Sequence, residues 1–399
     1  MKFSSKIAQC NLSPIRKFYP YQVECKKKGK KIYPLNIGQP DIKTPEAYFE
    51  AVKNFNAPVL EYAPSPGIPE MVEAVRGYYH NIGIDYETSD IFITTGGSEA
   101  LQIALNCILD DGDEIIIPEP FYPNYNTFVK VTGVSIRPLT TTPEEGYHYA
   151  DREKIESLIN EHTRAIMFTN PGNPTGVVLT PEELQLMVDI AVEHDLFLIG
   201  DEVYREFVYG GEPLMSLGQY PKANDNVIII DSVSKRFSAC GARIGCMVCK
   251  NKEFMAQVFK IAMGRLCVPT LDMVGATAMY KLPADFFNDV KAEYEHRRNV
   301  TFEALKKIPG VVCECPGGAF YITCKLPVEN TEDLLLFLLN EFRENNETVM
   351  YAPAEGFYAT PGLGKNELRI AYILNADDMA RGIELLGKGI EAYKAKGGK

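Results

Sequence analysis

Ser232-Val-Ser-Lys235-Arg-Phe-Ser-Ala-Cys-Gly-Ala-Arg243-Ile-Gly245 follows directly on Val227-Ile-Ile-Ile230-Asp231. A run of β-branched residues predicts a buried strand, because such side chains are stiff at χ1 and fit the pleated surface of a sheet. Lys235 is therefore expected where a strand leaves a sheet, the place at which open α/β folds collect their ligands. A lysine there, with hydroxyls at 232 and 234 and a guanidinium at 243, suits a phosphate-bearing aldehyde. The amine condenses with the aldehyde while the serines and the arginine hold the phosphate.

The same strand-then-turn rhythm extends on both sides. Ile91-Phe-Ile-Thr-Thr95 runs into Gly96-Gly97-Ser98-Glu99, then into helical spacing at Ala100, Leu101, Ala104, Leu105 and Ile108. The glycines free the backbone, and a helix start aims unpaired N–H groups and the positive dipole end at an anion, so Gly97, Ser98 and Glu99 read as a phosphate cup. The G-x-G-x-x-G fingerprint of dinucleotide sites is absent there. Further strands are predicted at 114–118, 134–139, 165–169, 196–200, 227–230 and 243–249. Between the third and fourth of these, Thr180, Pro181 and Glu183 spell a capping box at a helix start. Strands separated by helices imply an α/β fold, a mostly parallel seven-stranded sheet sandwiched by helices, with its chemistry at the carboxyl ends of the strands. Asn170 and Asn173 follow one strand, Asp201 and Tyr204 the next, and Lys235 the one after.

Residues 1–45, broken by Pro14, Pro20, Pro34, Pro40 and Pro45, read as an arm without long elements. Residues 46–285 read as the large domain. Residues 286–399 read as a smaller α+β domain that the arm joins, with a long helix over 284–307, strands over 311–315, 320–324 and 367–373, a helix over 331–344, a loop over 353–364 and a terminal helix. Gly38, in Leu35-Asn-Ile-Gly38-Gln-Pro-Asp41, marks a close backbone approach to a ligand or to another strand.

The 399 residues carry a net charge of −12, which argues against a nucleic-acid surface, and the short basic run Lys26–Lys31 reads as a solvated face. No stretch is apolar enough to cross a bilayer, and the N-terminus lacks the apolar core of a signal peptide, so a cytoplasmic protein is expected. The 10 cysteines are scattered, and neither Cys246-Met-Val-Cys249 nor Cys313-Glu-Cys315 has further ligands nearby, so reduced thiols and no metal are expected.

Asn170-Pro-Gly-Asn173-Pro-Thr-Gly176, then Asp201-Glu-Val-Tyr204, then Ser232-Val-Ser-Lys235-Arg-Phe with Gly241, Arg243 and Gly245, occur in that order. Together they resemble the class I/II aminotransferases, pyridoxal 5′-phosphate enzymes of fold type I. The likeness runs from Asn36 to Leu368-Arg369-Ile370. It implies that Lys235 holds the cofactor as an imine and moves the substrate proton, and that Asp201 pairs with the ring nitrogen. It also implies that Asn173 and Tyr204 donate to the ring's phenolic oxygen and that Tyr122 stacks on the ring. Gly97, Ser98, Glu99, Ser232, Ser234 and Arg243 would bind the phosphate, joined by Tyr62 from a neighbouring subunit in a homodimer. Arg369, helped by Gly38 and Asn173, would clamp the substrate α-carboxylate. The implied reaction is ping-pong transfer of an α-amino group from an amino acid to a 2-oxo acid, aspartate and 2-oxoglutarate being one pair. Other chemistry of the same cofactor, such as C–S lysis, is the alternative, as is an aromatic or aliphatic substrate. For a second substrate carboxylate the candidates are Arg16 and Arg265. Tyr19, Tyr33 and Phe357 would instead line an aromatic or aliphatic pocket.

Overall fold

A computed structural model describes residues 1–211 and 214–399. Its strands, in chain order among the described residues, are β1 (Lys31–Pro34), β2 (Ile91–Thr94), β3 (Glu114–Glu119), β4 (Ser135–Thr140), β5 (Thr163–Thr169), β6 (Phe197–Asp201), β7 (Val227–Ser232), β8 (Gly245–Val248), β9 (Tyr321–Lys325), β10 (Glu347–Met350), β11 (Ala352–Pro353) and β12 (Glu367–Ala371). Seven of them form one sheet in the order β2-β8-β7-β6-β5-β3-β4. All neighbours in it are parallel except β8, which runs antiparallel to both β2 and β7.

The middle of the sheet is apolar because helices cover both of its faces. Ile115, Ile116 and Ile117 of β3 and Ile228, Ile229 and Ile230 of β7 are all fully buried, as expected where neither side of a strand meets water. Alternate residues serve opposite faces. Ile116 and Ile229 pack with Leu184, Met187 and Val188 of the helix Pro181–Glu193, whereas Ile115, Ile117, Ile228 and Ile230 pack with Leu101 and Leu105 of the helix Gly96–Ile108. The first of those helices starts at the capping box: Glu183 N–H donates to Thr180 Oγ1 at 3.2 Å and Thr180 N–H to Glu183 Oε2 at 2.8 Å.

A third core gathers Phe18, Ile32 and Leu35 with Phe320, Leu338, Ile370 and Leu386. Around it lie the antiparallel sheet β11-β12-β9, the parallel pair β1-β10 and the helices Phe286–Leu305, Thr331–Asn340 and Ala376–Ala395.

Several local expectations are corrected here. The arm holds a nine-residue helix, Tyr19–Lys27, because Pro20 falls in its first turn, where a missing N–H costs no bond. Residues 311–315 are not a strand and only Val312 bridges to Lys325. The helix expected to reach residue 344 stops at Asn340, and Glu347–Met350 forms β10, paired with β1. Nothing local announces that strand, since its only partner lies more than 300 residues away in the chain. Tyr33, a candidate pocket residue, lies on β1 and donates its hydroxyl to Glu347 at 2.8 Å. No described helix is long and apolar enough to cross a membrane.

Candidate active site

β5, β6 and β7 end side by side, and their pairing continues past the strands: Asn170 N–H donates to Asp201 O at 3.0 Å and Glu202 N–H to Ile230 O at 2.9 Å. Parallel pairing therefore sets the spacing between Asn170, Asp201 and the turn that carries Lys235. Asp201 is 7% exposed. Its Oδ2 accepts from the Tyr125 hydroxyl at 2.5 Å and its Oδ1 from Val203 N–H at 3.4 Å, while the Tyr125 oxygen lies 2.7 Å from Thr169 Oγ1. Burial dominates this carboxyl and pushes it up to about 6, although the bonds from Tyr125 and Val203 pull the other way. Asp231 adds to the rise and Lys235 opposes it.

Lys235 Nζ donates to Gly38 O at 2.8 Å and has no ion-pair partner among the described residues. Gly38 has no room for a side chain, since a Cβ there would fall on the Tyr321 hydroxyl. The close approach read from the sequence is thus to another strand's side chain, on β9. Tyr321 OH lies 3.0 Å from Tyr204 OH, which accepts from Asn173 Nδ2 at 3.3 Å. Burial holds the Tyr204 hydroxyl well above its ordinary range, so it stays a donor.

Asn173 also connects to Arg369, whose Nη1 donates to Asn173 Oδ1 at 3.1 Å and Nη2 to Asn36 O at 2.7 Å. The guanidinium carbon sits 4.4 Å from the centre of the Tyr321 ring and 5.1 Å from that of Phe357. Arg369 is 2% exposed, its Nε has no hydrogen-bond partner, and it faces no carboxylate among the described residues. Burial without a counter-ion pulls its pKa below the ordinary arginine value.

The anion side is built where the helix Gly96–Ile108 begins. Gly97, Ser98 and Glu99 lie in its first turn, where N–H groups have no intrahelical acceptor. Gly96 has φ +73°, and a Cβ there would run into the Arg243 guanidinium. Ser232 Oγ lies 2.8 Å from Ser234 Oγ, and Arg243 Nη1 donates to Cys240 O at 3.0 Å and Ser234 Oγ at 3.5 Å. The Glu99 carboxylate accepts from Thr95 N–H at 2.6 Å and stands 3.4 Å from Arg265 Nε. Arg265 Nη2 donates to Ser65 O at 3.3 Å and Ile93 O at 3.2 Å. Arg265 thus ties Glu99 to Ser65 and Ile93 at this end of the site.

Tyr122 accepts from Asn124 Nδ2 at 2.7 Å and meets Tyr125 edge-on at 5.5 Å between ring centres. Its hydroxyl is raised mainly by burial, and the charges acting on it include Arg369, Asp201 and Arg16. Arg16 is exposed and has no carboxylate partner among the described residues. Its neighbour Ile15 packs on Ala352, Ala354 and Phe357, which brings the arm to the Arg369 end of the site. Two residues stand apart: Tyr62 is 80% exposed without a side-chain hydrogen bond among the described residues, and Tyr19 is 63% exposed.

Sequence reasoning missed Tyr125, Thr169 and Tyr321. Tyr125 had a faint signal, one helical turn beyond Tyr122 in Tyr122-Pro-Asn-Tyr125. Tyr321 had none, because strand alternation does not say which tyrosine meets a ligand.

The sequence pattern of the family described as "Aminotransferase class I and II" matches residues 30–386. The chain is 30% identical to an aspartate aminotransferase of Bacillus subtilis over 98% of its own length and 100% of that relative's. It is also 30% identical to a probable aspartate/prephenate aminotransferase of Aquifex aeolicus, covering 97% of this chain and 98% of the other. Among solved structures, an alanine aminotransferase from Pyrococcus furiosus superposes with a TM-score of 0.89 at 29% identity, covering 98% of this chain and 100% of that one. Strands of one sheet that end in an unpaired lysine and a buried carboxyl, facing a guanidinium with no anion of its own, thus occur in a chain that belongs to the class I and II aminotransferase family, and the protein is a transaminase.

Proposed function

We propose that this transaminase works with pyridoxal 5′-phosphate at the carboxyl edge of the large sheet and serves dicarboxylic substrates. An amino acid such as aspartate enters first, and a 2-oxo acid such as 2-oxoglutarate follows at the same site. The residues present suit that cofactor. Gly96, Gly97, Ser98, Glu99, Ser232, Ser234 and Arg243 offer N–H groups, hydroxyls and an uncompensated cation to a phosphate. Lys235 offers an amine without a salt-bridge partner. Asp201, whose carboxyl burial raises to about 6, would be favoured as a carboxylate beside a cationic ring nitrogen and would pair with it. Tyr122 would lie on the ring, while Asn173 and Tyr204 would donate to its phenolic oxygen.

When bound, the cofactor supplies an aldehyde carbon for condensation with amines and a ring that takes up the electron pair released at the substrate Cα. The chain's own residues do the rest. Arg369 clamps the α-carboxylate through the two donors of a planar fork, with Asn173 and Gly38 beside it. That clamp would orient the Cα–H bond, and the Lys235 amine would serve as the base that takes the proton from Cα and later returns it. Tyr321, bonded to Tyr204, packs against Gly38, whose carbonyl takes the Lys235 bond.

The dicarboxylate preference rests on one observation: Ile15, next to Arg16, packs on Phe357, whose ring centre lies 5.1 Å from the Arg369 guanidinium, and neither arginine has a carboxylate partner among the described residues. One would hold the α-carboxylate and the other the distal one. Exposed Val59, Leu60 and Tyr62, tied through Ser65 to Arg265 beside exposed Met263 and Leu266, support a homodimer in which Tyr62 reaches the partner's phosphate.

A half-reaction tests the substrate class. Aspartate or glutamate, added to the cofactor-loaded protein without any oxo acid, should bleach its visible band at least about 10-fold faster than alanine or phenylalanine. Arg16→Ala should erase that preference while leaving the alanine rate in place. Equal rates for alanine and aspartate in the unaltered protein would remove the second carboxylate from the reading.

A further inference from the structure

Directly beneath Lys235 lies a charge pair that the reaction itself does not use. Asp231 on β7 is 0% exposed, and the Arg236 side chain is equally shut off from water. Arg236 Nη2 donates to Asp231 Oδ2 at 2.6 Å, and the second oxygen, Oδ1, accepts from Ser232 N–H at 2.7 Å. The Arg236 guanidinium carbon lies 4.1 Å from the centre of the Tyr78 ring and its Nε 3.8 Å from Glu206. Its Nε and Nη1 have no hydrogen-bond partner.

The place of this pair in the chain gives it a consequence for the site. The turn Val233–Arg236 is a single helical turn with Ser232 as its cap. Such a turn has no helix behind it to hold its direction. Asp231 sits at its entry and Arg236 at its exit, so their bond closes a ring around Ser232, Ser234 and Lys235. Lys235 and Arg236 are adjacent and diverge, one toward Gly38 and the other into the core. A buried arginine keeps its proton under all ordinary conditions, and here that charge is set against Asp231 at 2.6 Å. Unbalanced, Asp231 would act on Asp201, whose carboxyl it already helps to raise.

We infer that Arg236 is a positioning residue for the reaction: by bonding Asp231 across the turn it fixes the direction in which Lys235 leaves β7 and cancels a charge that would otherwise bear on the Lys235–Asp201 couple. Apolar side chains of similar volume fill such a space with no loss of stability, so the pair's distinctive contribution is its charge balance and its fixed geometry. Facing Asp231, besides Arg236, are Tyr78 and Tyr79 of the helix Pro69–Asn81, Arg205 after β6, Cys246 of β8 and Tyr280 of the helix Thr270–Tyr280. Facing Asp201 are Tyr125, Lys235, Asp231, Tyr122 and Tyr204.

The inference rests on pyridoxal 5′-phosphate being bound at Lys235, and the test separates the two. The visible band of the cofactor-loaded protein is titrated against pH for the unaltered chain, Asp231→Asn, Arg236→Met and the double variant. Asp231→Asn leaves a cation beside the site, which disfavours the protonated form and moves the midpoint down. Arg236→Met leaves an anion and moves it up. Each shift is expected on the order of half a unit, and the double variant should return to the unaltered midpoint. Unmoved midpoints in both single variants, with thermal stability alone reduced, would make the pair merely structural. If the single variants do not fold, Asp231→Glu and Arg236→Lys keep both charges and change only the reach. They should hold the midpoint while weakening retention of added pyridoxal phosphate several-fold, and unchanged retention would overturn the positioning role. An unaltered chain that takes up no cofactor at all sinks the proposed function as well, and is recognised by having no band to titrate.

Discussion

Two buried guanidiniums, one in the turn that carries Lys235 and one on β12, differ in the company they keep. Arg236, in the turn after β7, has a carboxylate 2.6 Å away. Arg369, on β12, has only the neutral oxygens of Asn173 and Asn36. A cation removed from water without an anion is costly to the fold, so it persists where a ligand supplies the missing charge. The paired arginine is held by the fold itself, and the unpaired one is where the proposed function puts the substrate's α-carboxylate.

The largest expected effect is on chemistry itself, at the residue whose turn Arg236 closes. Lys235→Ala should lower turnover by at least about 10³-fold, measured in single-turnover mixing with aspartate, because it removes the base that moves the proton. Next come the arginines, whose responses should be opposite in kind. Arg369→Leu should reduce kcat/KM about 10²- to 10³-fold while leaving the empty protein as stable as before or more so, since a lone buried cation is removed. Arg236→Leu should destabilise the empty protein by about 3–5 kcal/mol in denaturant titration, since Asp231 is left unpaired. If both variants destabilise the empty protein alike, the distinction between a structural and a ligand-facing arginine fails.

The pH dependence of the empty protein sharpens the same contrast with a carboxyl. Asp201 is raised from 3.8 to about 6 in the fold, so the folded chain holds this proton more tightly than the unfolded chain does. Its contribution is fully present below about pH 4 and is lost as pH rises through 6, by about 3 kcal/mol in total. Asp201→Asn should therefore make the cofactor-free protein more stable than the unaltered one at pH 7 by roughly that amount, with the difference gone at pH 4. The smallest effect is at Tyr125, whose hydroxyl stabilises the Asp201 anion. Tyr125→Phe should raise the Asp201 midpoint further, visible as about 1 kcal/mol less stability for the empty protein at neutral pH. A lowered midpoint would mean that the hydroxyl does not donate to this carboxylate.

Much of this site could be read before any coordinates, and the parts that could not share a cause. The β-branched run at 227–230, the capping box at Thr180, the glycines at 96 and 97 and the order of Asn173, Asp201 and Lys235 are local signals. Each depends on neighbours a few residues away, through χ1 stiffness, unpaired N–H groups at a helix start or the length of a βα unit. The strand β10, the meeting of Tyr321 with Gly38 and Tyr204, the reach of Arg16 toward Tyr122 and the occupation of Arg265 by Ser65 and Ile93 all join distant segments. Local propensity is silent about such partners. The sequence by itself determined the sheet, the turn that bears Lys235 and the family of chemistry, because strand and helix periods are written residue by residue. Which buried arginine carries a counter-ion and which does not came only from the folded chain, because pairing of a buried charge depends on what distant segments place against it.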